Sequence, residues 1–271
     1  MLAVLPFLAS AAVQITRGQL LSGIGGCIAA VPFACEAYAR APPSWRPESL
    51  PPLAIKAGCD DVVFVLHGAG GPDANSHRIA EAMQKRNAAA QIVEYIYAPF
   101  VGDQLQAPFN AMRVGDHLAD ELLVRSSSPA KRVHVVGISV GAFAADRLAT
   151  RLALDGRCER VKLTLLDPFT ARGLLGLVRP NSAYGVTTFG KAPRVVAESV
   201  FNRDDPVPST NLPLEHAVNF DITNAAARAR FTPLPGDSLH SWPAAWYGLN
   251  PAELDERGVA ALALGSVTAI P

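Results

Sequence analysis

The chain has 271 residues, 49% of them hydrophobic, with 24 basic and 24 acidic side chains and a formal net charge of zero. That size and apolar content suit one large α/β domain with an ample core. The charge balance draws the protein toward neither nucleic acid nor an anionic membrane surface. No basic patch, phosphate-cradling loop or metal-ligand spacing appears either, so no nucleic-acid partner, metal or other cofactor is expected.

In chain order, residues 1–39 form an apolar N-terminal segment whose first 35 residues carry one charge, Arg17. Residues 1–13 contain Ala-Ser-Ala-Ala, like the end of an export signal, although a basic start is missing. Residues 18–35 are uncharged and about long enough to cross a bilayer with help from their flanks. Ile24-Gly25-Gly26-Cys27 resembles a lipid-attachment box. Three readings follow for residues 1–35: a cleaved export signal, a membrane anchor, or an extension packed on the domain. The first two make the protein secreted or membrane-associated; the third leaves it cytoplasmic. Residues 40–57, with Pro42, Pro43, Pro47, Pro51 and Pro52, read as an extended linker into a single domain over 58–271.

Within that domain, strands are expected over 61–66, 91–97, 132–136, 160–166, 195–202 and 217–223, and helices over 76–87, 107–125 and 142–154. Glycine-rich residues 170–192 suggest a small lid or entrance loop, and 251–271 a closing helix and tail. Alternation of strands and helices argues for a mostly parallel, doubly wound sheet. Cys59 and Cys158, each just before a predicted strand, read as buried thiols rather than a bridge, and with Cys27 and Cys35 they fit no zinc site.

The chemistry lies at the strand ends. Val133 to Val136 runs into Gly137-Ile138-Ser139-Val140-Gly141, and a helix follows. A serine on so sharp a strand-to-helix turn presents its hydroxyl above the sheet, and side chains two residues either side would collide with neighbouring elements. A serine hydroxyl needs a base, and the base needs an orienting acid. In this arrangement the chain order is serine, acid, histidine. His240 is the one histidine after the last strand. His67, His77, His117, His134 and His216 lie in a turn, on helices or in and beside strands.

Three aspartates are candidates for the acid. Asp167 ends an apolar strand, where a carboxylate requires a partner. Asp205 and Asp204 end the next strand, in an Asp-Asp-Pro turn. Two backbone N–H groups would receive the developing oxyanion: Val140, after the nucleophile, and Ala69, in His67-Gly68-Ala69-Gly70-Gly71.

Taken together, these ordered motifs resemble the α/β-hydrolase superfamily over residues 60–250, most closely the branch that includes pancreatic lipases. The resemblance rests on Leu166-Asp167-Pro168 after the strand that follows the nucleophile, and on His240 preceding the aromatic pair Trp246-Tyr247. It implies an α/β-hydrolase fold and a serine hydrolase acting on lipid or small-molecule esters through an acyl-enzyme. It also implies Asp167 as acid, ahead of Asp205 and then Asp204. A thioesterase or acyltransferase would use the same triad, and a non-catalytic binding protein could share the fold.

Overall fold

The computed structural model describes residues 50–249, apart from 57, 98–100, 102–105, 126–129, 171–188, 208 and 234–237. The apolar N-terminal segment, Cys27, Cys35, most of the proline-rich linker, most of the expected lid and the closing helix lie outside those residues. No described helix is long and apolar enough to cross a membrane.

Six strands form one all-parallel sheet: β1 (Asp61–Leu66), β2 (Gln91–Tyr95), β3 (Arg132–Ile138), β4 (Arg160–Leu166), β5 (Val195–Phe201) and β6 (Val218–Asp221). Their sequences explain the burial. In β1, Val62, Phe64 and Leu66 enter one core and Val63 and Val65 the other, so the strand is apolar on both faces. Helices α2 (Ala107–Arg125) and α3 (Gly141–Asp155) cover the first face with Val114, Leu118, Phe143 and Leu148. Helices α1 (Ala74–Arg86) and α4 (Trp242–Tyr247) cover the second with Ile79, Met83, Trp242 and Trp246. Cys59 and Cys158 are free thiols.

Helix α1 begins two residues before the expected start. Asp73 accepts hydrogen bonds from the Asn75 and Ser76 N–H groups, and Ser76 Oγ answers the Asp73 N–H, a reciprocal cap that sets the boundary.

The strand order is β2-β1-β3-β4-β5-β6. The chain therefore goes outward one way from β1 and the other way from β3. The change of direction between their carboxyl ends is a topological switch point, the place where parallel α/β sheets generally bind ligands. The His67–Gly71 turn leaves β1 and Ser139 leaves β3 at that point.

The backbone there leaves no room for larger residues at two positions. A Cβ on Gly141 would lie 2.6 Å from the His67 carbonyl oxygen and closer still to that of Leu66. One on Gly137 would lie 2.7 Å from Ala145 Cβ and 2.8 Å from the Gly141 carbonyl oxygen. Gly141→Ala should therefore cost about 3 kcal/mol through a clash with rigid backbone. Thermal unfolding followed by circular dichroism should show a midpoint lower by roughly 6–12 °C. An unchanged midpoint would mean that the turn opens freely.

Candidate active site

Ser139 sits between β3 and α3 with a φ of 52°, a left-handed conformation that a residue with a side chain adopts only when its surroundings impose it. They do so through three backbone hydrogen bonds. Ser139 N–H donates to Leu166 O at 2.9 Å, and Ser139 O accepts from Ala142 N–H and Phe169 N–H, both at 3.1 Å. The turn is thus tied to the end of β4 as well as to the start of its own helix.

The turn after β1 is equally fixed. His67 is buried and stacks on Tyr97, with ring centroids 4.1 Å apart. His67 Nε2 accepts from Tyr97 N–H at 3.0 Å, and Tyr97 Oη donates to His67 O at 2.6 Å. This assigns the ring proton to Nδ1, which donates to Gly68 O at 2.8 Å. Burial holds the imidazole below its ordinary pKa, against the hydrogen bond to Gly68 and the charges of Glu94 and Asp73. A Cβ on Gly68 would lie 3.2 Å from Ser139 Cβ and 3.7 Å from Ser139 Oγ, so this turn passes directly beside the serine. Among the described residues, neither Ala69 N–H nor Val140 N–H has a hydrogen-bond partner.

Both remaining strand ends deliver carboxylates, and His240 lies against them. It occupies a short 3₁₀ turn, Leu239–Ser241, capped by Ser238 Oγ, which accepts from His240 N–H at 3.2 Å. Its Nδ1 is 2.6 Å from Asp205 Oδ2 and 3.9 Å from Asp167 Oδ2. The carboxylate hydrogen-bonded to the imidazole is therefore that of Asp205, not that of Asp167, the aspartate ranked first from the sequence. Asp204, two residues beyond Asn202 and exposed, makes no such contact.

The physical reason lies in how each aspartate is held. Asp205 Oδ1 accepts from Val207 N–H at 2.8 Å, and Oδ2 accepts from Thr210 Oγ1 at 2.5 Å as well as from His240. Burial raises its pKa, but the hydrogen bond and charge of His240, with the Thr210 and Val207 bonds, outweigh burial and leave it below the ordinary carboxylate range.

Asp167 is only 1% exposed and has a φ of 40°. Its Oδ1 accepts from Asn202 N–H at 3.0 Å, and its Oδ2 is buried without a partner. Burial first, and the neighbouring Asp205 charge second, raise its pKa well above the carboxylate range, against the lowering effect of the Asn202 N–H.

Asn202 also donates from Nδ2 to Leu239 O at 3.2 Å, so one residue pins both Asp167 and the histidine turn. Sequence reasoning missed Thr210 and Asn202 as supports of the site. Their available signal is weak: polar residues flanking Arg203-Asp204-Asp205-Pro206. It also passed over Tyr97, which locks the His67 turn.

Among the described contacts, Ser139 Oγ and His240 Nε2 are not hydrogen-bonded to each other. The serine, the two free amides and the aspartates nonetheless follow the ends of β1, β3, β4 and β5, at one edge of the sheet, and the later His240 turn lies against the aspartates. Chemically, the arrangement combines an alcohol on a strained turn, amide donors beside it and an imidazole oriented by a buried anion. The chain matches no model of a known protein family, and no curated protein is significantly similar to it.

Proposed function

We propose that this chain is a serine hydrolase of the α/β-hydrolase fold that cleaves carboxylic esters, lipid or small-molecule, through an acyl-enzyme. The observation that carries the proposal is the His240 Nδ1–Asp205 Oδ2 hydrogen bond of 2.6 Å, at the same sheet edge as a serine whose φ is 52°. An anion on Nδ1 fixes the tautomer with its free lone pair on Nε2, the form that accepts a proton.

In this reading Ser139 Oγ attacks the acyl carbonyl as His240 Nε2 takes its proton. The Ala69 and Val140 amides receive the charge on the carbonyl oxygen. His240 then protonates the departing alkoxide. Water, deprotonated by the same nitrogen, releases the acid and restores the serine. Asp205 replaces Asp167 as the orienting acid, because a 2.6 Å contact is a hydrogen bond and a 3.9 Å contact is not.

The test is covalent labelling. A fluorophosphonate probe should modify one residue, and peptide mass spectrometry should place the adduct on Ser139. Labelling of another serine, or none in the folded protein, would rule out Ser139 as the nucleophile.

A further inference from the structure

Asp167 and Asp205 pose a charge problem that the triad alone does not address. One carboxylate oxygen from each and a His240 ring nitrogen all lie within 4.8 Å of one another, and both aspartates are buried. Two buried carboxylates that close cannot both ionise without a large electrostatic cost, so such pairs retain a proton.

The hydrogen bonds say which one keeps it. Asp205 receives three donors: His240 Nδ1, Thr210 Oγ1 and Val207 N–H. Asp167 receives one, Asn202 N–H on Oδ1, while its Oδ2 faces no donor in a space closed to water. An anionic oxygen there would be stranded, whereas a hydroxyl is tolerated. The other charged groups of this edge do not alter the balance. Asp204 and Arg203 are exposed, and Arg203 is paired with Asp221 at 2.5 Å. His67, from β1, has both ring nitrogens engaged by Gly68 and Tyr97.

We infer that Asp167 and Asp205 form an acid–carboxylate pair carrying a single negative charge, in which Asp167 is the neutral member and positions that charge on Asp205, against His240. The inference rests on the triad reading proposed above and deepens it. A second anion 3.9 Å from Nδ1 would raise the basicity of the imidazole. That favours the imidazolium, the form that cannot take a proton from Ser139. Neutral Asp167 keeps the base available, and it stands within reach of the imidazole if Asp205 loses its charge.

The test uses the full chain and needs no turnover. Infrared difference spectra at pH 7 should show a protonated-carboxyl stretch that disappears in Asp167→Asn. It should disappear in Asp205→Asn as well, because His240 Nδ1, released from Asp205, turns to Asp167 Oδ2 3.9 Å away and gives that oxygen the donor an anion there needs. The NMR titration midpoint of His240 should stay within about half a pH unit of wild type in Asp167→Asn, since one neutral group replaces another.

A band absent from wild type, a band that persists in Asp205→Asn, or a His240 midpoint lowered by more than about one unit in Asp167→Asn would each overturn the pair. If Asp167→Asn does not fold, carboxyl ¹³C titration of the wild-type protein decides the matter: Asp167 must titrate above pH 7. Failure of Ser139 labelling would reject the hydrolase reading while leaving these readouts intact, so the two failures are distinguishable.

Discussion

Replacing Ser139 by alanine is expected to lower kcat for a short p-nitrophenyl ester by about 10⁶-fold. The chemistry explains the size of the effect. In the proposed mechanism, alanine removes the oxygen that forms the acyl-enzyme and the proton that His240 takes. What remains is hydrolysis by water under the amides of Ala69 and Val140, which can still stabilise the oxyanion.

The geometry makes the experiment clean. Alanine keeps a Cβ at a position whose φ is 52°, so the backbone strain of the turn is the same in both proteins. The backbone hydrogen bonds to Leu166, Ala142 and Phe169 do not involve Oγ. The variant should therefore melt within about 1 °C of wild type while losing its activity, because a substitution that breaks no contact changes stability little. Steady-state kinetics and a thermal scan on the same preparation check both halves. Wild-type turnover in a folded Ser139→Ala protein would place the nucleophile elsewhere.

The parallel α/β architecture was legible because strand and helix leave different periodicities. Strands β1 and β4 and helix α2 lie over the expected residues, and the others differ at their ends by a few residues. Those differences have local causes. Asp73 starts α1 early through a reciprocal cap formed with Ser76, the residue at which periodicity alone begins the helix. The sharp turn at Ser139 was legible for a steric reason: only glycine at 137 and 141 lets the strand, the helix and the end of β1 come together.

The pairing of the imidazole was not legible. Asp167 and Asp205 both follow strands, both precede proline, and both are buried. Which of them meets His240 depends on how the chain returns across the sheet edge after β6, and on Thr210 and Val207 cradling one carboxylate. No local pattern encodes that. The polar ladder inside the sheet was equally hidden. His134 Nε2 lies 2.7 Å from Thr164 Oγ1, Thr164 donates to Glu198 at 2.5 Å, and Lys162 pairs with Glu198 at 3.0 Å. These residues interrupt apolar strands in the sequence, and their partners come from three different strands.

Asp205→Asn is expected to lower kcat by about 10²-fold, and the double variant Asp167→Asn/Asp205→Asn by about 10⁴-fold, the loss typical of a triad whose histidine has lost its orienting anion. The intermediate value for the single variant follows from the geometry. The amide that replaces the Asp205 carboxylate offers no anion to Nδ1, and its neutrality removes the Asp205 contribution to keeping Asp167 protonated, while the larger one, burial, remains. Asp167 ionises only as the imidazole shifts toward its Oδ2, 3.9 Å away, so it orients the ring less well than Asp205 does. The two substitutions should therefore be strongly non-additive, as expected for groups acting on one atom. Steady-state kinetics on the two single variants and the double variant measure that coupling. If Asp167→Asn alone costs as much as the double variant, the imidazole is oriented by Asp167 in solution, and the acid is the one that Leu166-Asp167-Pro168 suggests. If Asp205→Asn alone reaches the full loss, Asp167 gives no support, and the single charge of the pair belongs to Asp205 without substitute.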